Sequence, residues 1–241
     1  MAIAQKLCCK VQRIVDHGEH VYTIDLVSGK LFPVFKPGQF LHLALDTYDP
    51  AGFWPDSRVF SIASPTHQRD RLSITYSVRG RFTARMEREL TEEKKVWIKM
   101  PYGEFIIHAT SDVVLFAGGT GITAFTAFLD GLTPAFPYRV YLVYGARNAD
   151  LLIYRDLIQR WATNDSRFLA FYFVEQDAYG ESAARSETVG QVSVAAVWSR
   201  IKNPLETTYY ISGPPPMLKR ISRDLSECGI RVDAIRIDAW E

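Results

Sequence analysis

With 241 residues, 47% hydrophobic and 23% charged, the chain can bury one large core or two of ordinary size, and that composition excludes a disordered chain. A formal net charge of +1 provides no global field to draw nucleic acid or an anionic membrane, although a local patch could still dock an acidic partner. Three cysteines, Cys8, Cys9 and Cys228, with no Cys-x-x-Cys pair, exclude a disulfide framework and an iron–sulfur cluster held by this chain alone, and fit a reducing cytosol.

Cys8 and Cys9 are expected to be buried small residues. Residues 1–30 lack a basic start followed by an apolar core, and no apolar run reaches about eighteen residues, so a cytoplasmic protein without membrane insertion is expected. The histidines are scattered; His17 and His20 flank the turn at Gly18, and no metal site is expected.

From Leu7 to about Met100 the apolar pattern has mostly period two, as half-buried antiparallel strands require. Leu41, Leu43 and Leu45 share one face; Leu72, Ile74, Tyr76 and Val78 share another. Turn residues separate these runs at His17-Gly18, Ser28-Gly29, Lys36-Pro37-Gly38 and from Asp49 to Pro55, which predicts a small barrel or sandwich.

After Thr110 the pattern changes to continuous apolar runs: Val113 to Ala117, Val140 to Tyr144, Phe168 to Val174 and Tyr209 to Ile211. Strands covered on both faces read this way. Leu151, Tyr154, Ile158 and Trp161 have the spacing of one helix face, as do Val194, Val197, Trp198 and Ile201. Buried strands alternating with amphipathic helices predict a doubly wound parallel sheet, with the change of pattern between His108 and Asp112.

Gly119-Thr120-Gly121-Ile122-Thr123-Ala124 follows the first buried run. Missing Cβ atoms let backbone approach a phosphate, and free N–H groups at a helix start offset its charge. The same glycines also suit a plain strand-to-helix turn; the place at the first strand of a parallel sheet favours the phosphate. Ser212-Gly213-Pro214-Pro215-Pro216-Met217 offers a second backbone approach, or a proline-stiffened helix start.

In order along the chain, Pro37-Gly38-Gln39-Phe40, Arg58-Val59-Phe60-Ser61, Gly80-Arg81-Phe82-Thr83, Pro101-Tyr102-Gly103-Glu104-Phe105, Gly119-Thr120-Gly121-Ile122, Tyr144-Gly145-Ala146-Arg147, Gly213-Pro214-Pro215 and Asp238-Ala239-Trp240 resemble the motifs of the ferredoxin-NADP reductase superfamily. The resemblance extends over essentially the whole chain. It implies an antiparallel β-barrel FAD-binding domain at 1–109 and an NAD(P)-binding α/β domain at 110–241. By this resemblance Arg58, Val59, Phe60, Ser61, Ser77, Val78, Gly80, Phe82 and Thr83 hold FAD. Gly119, Thr120, Gly121, Ile122, Arg147, Gly213 and Pro214 hold the nicotinamide nucleotide, and Trp240 stacks on the flavin. Ser61, Ser212, Asp238 and Trp240 are the implied catalytic group.

Ser212 stands where the family usually has cysteine, and Ala124 where it usually has proline. Phe173-Val174-Glu175-Gln176 resembles the stretch that clasps the 2′-phosphate in NADP-dependent members. Phe and Val cannot neutralise a phosphate, so NADH is favoured over NADPH, although Arg147 and Arg185 could supply charge. The resemblance implies hydride transfer from NAD(P)H to FAD and electrons onward to a separate acceptor: an iron–sulfur protein, a flavodoxin, a haem protein or a small molecule. Two alternatives stay open, a reductase that uses free flavin as substrate and an FAD-binding electron-transfer subunit that does not use NAD(P)H.

Overall fold

A computed structural model describes residues 3–175 and 187–238. The chain divides into two units, Met1–Ile106 with Thr126–Gly131, and Ile107–Phe125 with Leu132–Glu241.

The first unit contains β1 (Gln5–Asp16), β2 (Val21–Ser28), β3 (Phe40–Ala44), β4 (Ser57–Ser61), β5 (Arg71–Ser77) and β6 (Lys95–Tyr102), with helix α1 (Arg81–Glu89) between the last two. The strands form one antiparallel sheet in the order β4-β3-β6-β1-β2-β5. Just past β4, the Ala63 N–H donates to the Ser73 carbonyl of β5 at 2.8 Å and draws the two edges into a nearly closed barrel. Alternation sends Leu7, Cys9 and Val11 of β1, Leu41 and Leu43 of β3, and Val96 and Ile98 of β6 inward. Phe82 and Met86 of α1 join that core, and each fully buried large side chain contributes about 1.5–3 kcal/mol.

Period two also corrects the reading of the adjacent cysteines. Cys9 is buried, and its thiol is pushed up to about 12 by burial and then by the neighbouring Cys8; Cys8 itself is exposed, because the next residue of a strand faces the other way.

The second unit contains β7 (Val113–Gly118), the start of α2 (Thr123–Asp130), whose residues from Thr126 on belong to the first unit, β8 (Val140–Ala146), α3 (Arg155–Asn164), β9 (Phe168–Val174), β10 (Glu187–Val189), α4 (Val194–Val197), β11 (Thr208–Ser212), α5 (Pro215–Glu227) and β12 (Ile235–Ile237). Its sheet is all parallel, in the order β10-β9-β8-β7-β11-β12. Chain order reverses between β7 and β11, so the crevice for a ligand lies at their carboxyl ends. One face of the sheet, including Val114, Phe116, Val143 and Ile211, packs against Met217, Ile221 and Leu225 of α5.

Two predicted helix faces are shorter in the structure. Tyr154 adopts a left-handed backbone, φ 61°, so α3 starts only at Arg155. Leu151 is instead held in a turn, its N–H donating to Asn148 Oδ1 at 3.1 Å and its carbonyl accepting from Tyr144 Oη at 3.2 Å. The Val194–Ile201 stretch has a single α-helical turn followed by a 3-10 turn at Trp198–Arg200. No helix among the described residues is long and apolar enough to cross a membrane.

Candidate functional site

Five residues, Gly118, Gly119, Thr120, Gly121 and Ile122, carry the chain from the end of β7 through a tight 3-10 turn into α2. Gly119 is left-handed, with φ at +54°. A Cβ on Gly118 would stand 2.5 Å from Met217 Sδ and 2.9 Å from Pro214 Cδ; one on Gly121 would stand 2.6 Å from the Ser212 carbonyl carbon and 2.7 Å from the Gly213 nitrogen. At Gly121 backbone therefore lies directly on backbone, and only glycine fits there; at Gly118 the space is taken by side chains of α5 and the residue before it. Gly213, at φ +157°, approaches Gly118 in return, with 3.1 Å from its added Cβ to the Gly118 Cα. Thr123 Oγ1 donates to the Thr120 carbonyl at 2.8 Å and fixes the turn. The two loops thus cross closely at the switch point of the sheet.

Ser212 ends β11 with its Oγ donating to Asp238 Oδ2 at 2.8 Å; both residues are buried. Asp238 is drawn there by its own N–H, which donates to the Ile211 carbonyl at 2.9 Å. The structure thus joins two of the four proposed catalytic residues. Trp240, together with Gln176 and Arg185, lies outside the described residues. Arg147 follows β8 and is exposed. Phe173 and Val174 are 4% and 5% exposed within β9, and Phe173 belongs to the apolar core.

In the barrel unit, alternation along β4 puts Arg58 and Phe60 on one face and Val59 and Ser61 on the other. Phe60 packs edge-on against Tyr76, ring centroids 6.2 Å apart, and Tyr76 meets Tyr22 at 5.5 Å. Burial pushes the Tyr76 phenol well above its usual range. The Arg58 guanidinium lies 5.3 Å from the Phe82 ring at the start of α1, while its Nη1 donates to Asp56 Oδ1 at 2.8 Å. Ser77 ends β5, its Oγ accepting from Arg79 Nε at 3.2 Å, and the Val78 N–H donates to the His20 carbonyl at 2.9 Å.

The Gly80–Thr83 stretch is the N-terminus of α1, a helix the period-two reading of this half overlooked. Its signal was present: Phe82, Met86 and Leu90 are spaced by four. Thr83 Oγ1 accepts from the Arg79 N–H at 2.9 Å and from the Gly80 N–H at 3.2 Å, which folds the preceding turn onto the helix. Thr83 thus supplies half of a capping box, while Gly80 at the N-cap has no side chain to accept from the first-turn N–H groups. Gly80 is extended, and a Cβ there meets nothing within 4 Å. Its backbone does not require glycine; the open space before it does suit a ligand. Ser64 was not singled out from sequence, yet its Oγ is buried without a hydrogen-bond partner, three residues beyond Ser61.

An antiparallel barrel followed by a parallel sheet with a glycine-rich turn at its switch point is the two-domain fold of ferredoxin-NADP reductase-like proteins. Residues 115–223 match the oxidoreductase NAD-binding domain. Among curated relatives, the chain is 27% identical over 91% of its length to a flavohemoprotein of Rhizobium meliloti (strain 1021), and 30% identical over 81% to the reductase component of propane 2-monooxygenase of Mycolicibacterium smegmatis. It spans 56% and 58% of those two proteins. A ferredoxin NADP+ reductase from Neisseria gonorrhoeae, solved with bound FAD and NADP, superposes with a TM-score of 0.77 at 19% identity, covering 99% of each chain.

Proposed function

We propose that this protein is an FAD-dependent NAD(P)H oxidoreductase, with NADH preferred, that passes electrons to a separate acceptor such as an iron–sulfur protein. The observation that carries the reading is the close crossing of the loops at Gly118, Gly121 and Gly213, where a Cβ on Gly121 would run into the Ser212–Gly213 backbone and one on Gly118 into the Met217 and Pro214 side chains. Such a close pair of backbones suits a dinucleotide pyrophosphate. The FAD fit rests on the barrel unit, where the start of α1, the Arg58 guanidinium beside it and the open space at Gly80 make a second anion site.

Together the two cofactors would supply a hydride donor and a two-electron acceptor. The chain contributes orientation, distance and exclusion of water. Arg58 and the first-turn N–H groups of α1 would hold phosphate, and Phe60 would present an apolar ring edge to the flavin. Ser212 keeps its proton directed at Asp238, so no free thiol or mobile hydroxyl competes at that position. The preference for NADH is supported by Phe173 and Val174: both are buried and apolar where a 2′-phosphate would need charge.

The test is an anaerobic titration of the protein after reconstitution with FAD and desalting. Bleaching of the flavin absorbance by NADH, with a higher kcat/KM than for NADPH, is expected. A yellow protein unchanged by either nucleotide would support an electron-transfer subunit instead. A colourless protein that turns over added flavin would support a free-flavin reductase.

A further inference from the structure

Five side chains of the barrel unit form a continuous path from β4 to solvent. Tyr76 of β5 is 3% exposed; it meets the Phe60 ring edge-on at a centroid distance of 6.2 Å and stands opposite Tyr22 of β2, with centroids 5.5 Å apart. Tyr22 Oη donates to Glu87 Oε1 of α1 at 2.9 Å, and His20 Nδ1 lies 2.7 Å from the same oxygen. The His20 side chain is 71% exposed, so the outer end of the path is in water.

The two phenols differ in what can take their proton. Tyr76 makes no hydrogen bond through its hydroxyl among the described residues, and burial raises its pKa above the usual range. Tyr22 has a carboxylate within proton-transfer reach. Hydrogen bonds from His20 and then from Tyr22 hold Glu87 below the usual carboxylate range, so it is ionised at neutral pH and can only accept. A phenol that loses an electron becomes a strong acid, and its oxidation costs least where a base already holds its hydrogen bond. Packing alone asks for less: phenylalanine at 22 would keep the cross-strand ring pair, and glutamine at 87 would keep an oxygen for the Tyr22 hydroxyl.

We propose that Tyr22 is a redox-active tyrosine, which gives one electron through Tyr76 to an oxidant at Phe60 while its phenolic proton passes to Glu87. The oxidant is an isoalloxazine that has absorbed blue light, so the inference rests on the proposed FAD site. One electron leaves the Tyr22 ring and reduces the oxidant by one. The Tyr22 O–H bond breaks and an O–H bond forms at Glu87 Oε1, which leaves a neutral tyrosyl radical and a protonated carboxyl. Return of the electron from the reduced ring system, and of the proton from Glu87, restores both partners with no net chemistry. Tyr76 serves as a relay, because it has no base to hold its proton. The cycle gives the excitation a reversible outlet in a core that also holds the oxidisable sulfur of Cys9 and Met86.

The experiment is flash photolysis of the full-length protein, loaded with FAD and desalted, with no nicotinamide present. Transient absorption and the electron paramagnetic resonance spectrum of samples frozen under illumination read the tyrosyl radical. The wild type is expected to give a long-lived radical. Tyr22→Phe should lose it while the flavin fluorescence stays quenched, and Tyr76→Phe should lengthen the fluorescence lifetime. Glu87→Gln should also lose the long-lived radical, with flavin content and melting temperature unchanged, because its amide oxygen accepts the hydrogen bond but cannot hold the proton. A radical that persists in Tyr22→Phe or Glu87→Gln, an unchanged lifetime in Tyr76→Phe, or no radical in a wild type that holds FAD would each overturn the inference. A protein that forms the radical but is not bleached by NADH would refute the use of nicotinamide and uphold the role of Tyr22; one that retains no FAD would overturn both.

Discussion

Replacing Gly121 by alanine tests the proposed nucleotide site at its tightest point. The added methyl carbon would lie 2.6 Å from the Ser212 carbonyl carbon and 2.7 Å from the Gly213 nitrogen, where ordinary contact begins at 3.4 Å. These are backbone atoms, with the Ser212 carbonyl oxygen nearer still, so no side chain can rotate away, and the two loops must part by about 1 Å. Overpacking of this kind costs about 1–3 kcal/mol of stability. A displacement near 1 Å of groups that position a reacting ligand can cost about 100-fold in rate. Stopped-flow mixing of the FAD-loaded variant with NADH under argon should therefore show flavin reduction slowed by about one to two orders of magnitude. Flavin content should be unchanged, because the residues proposed to hold FAD belong to the other unit. Reduction by dithionite, which needs no nucleotide site, serves as the control. A variant that is reduced by NADH within about twofold of the wild-type rate, with its loops demonstrably folded, would refute the assignment of this loop crossing to the nucleotide.

Three further changes probe other parts of the structure. Thr83→Val removes the hydroxyl that accepts from the Arg79 and Gly80 N–H groups; a loss of about 1 kcal/mol and a lower flavin-to-protein absorbance ratio are expected, with Thr83→Ser restoring both. Ser212→Ala removes the buried hydroxyl that donates to the Asp238 carboxylate, a hydrogen bond to a charged group worth about 1–3 kcal/mol in urea unfolding; a change below experimental scatter would deny the bond a structural role. Arg85 holds the carboxyls of Asp46 and Glu89 below their usual values, chiefly by hydrogen bonds, so their contribution is fully present above the unfolded values of 3.8 and 4.5 and is lost as pH falls through the folded ones. The stability gap between wild type and Arg85→Met should accordingly shrink toward about pH 2, and a gap independent of pH would contradict that origin.

Periodicity made the architecture legible because each half must bury its strands differently. Inward alternation at Leu41, Leu43, Leu72 and Ile74 marks a barrel wall with one wet face, and the uninterrupted runs at Val113 and Val140 mark a sheet covered on both. Errors arose where backbone conformation, rather than hydrophobic spacing, determines an element. Leu151 and Tyr154 carry a helical spacing, yet the left-handed Tyr154 delays the helix to Arg155, and spacing is blind to that angle. Helix α1 was missed for the converse reason: Arg81, Arg85, Glu87, Arg88 and Glu89 make its sequence mostly polar, and its two buried residues, Phe82 and Met86, are too few to outweigh the surrounding strand pattern.

The candidate site shows the same division. Its glycines could be named from sequence because a missing side chain is visible there, whereas the reason for each differs and is a matter of three-dimensional packing. Gly118 and Gly121 are forced by opposing atoms, Gly119 by a positive φ, and Gly80 by neither. That last case is the informative one. A glycine that neither strain nor crowding demands, at a helix start beside an arginine, agrees with the proposed FAD site, where a side chain would take volume from a bound phosphate.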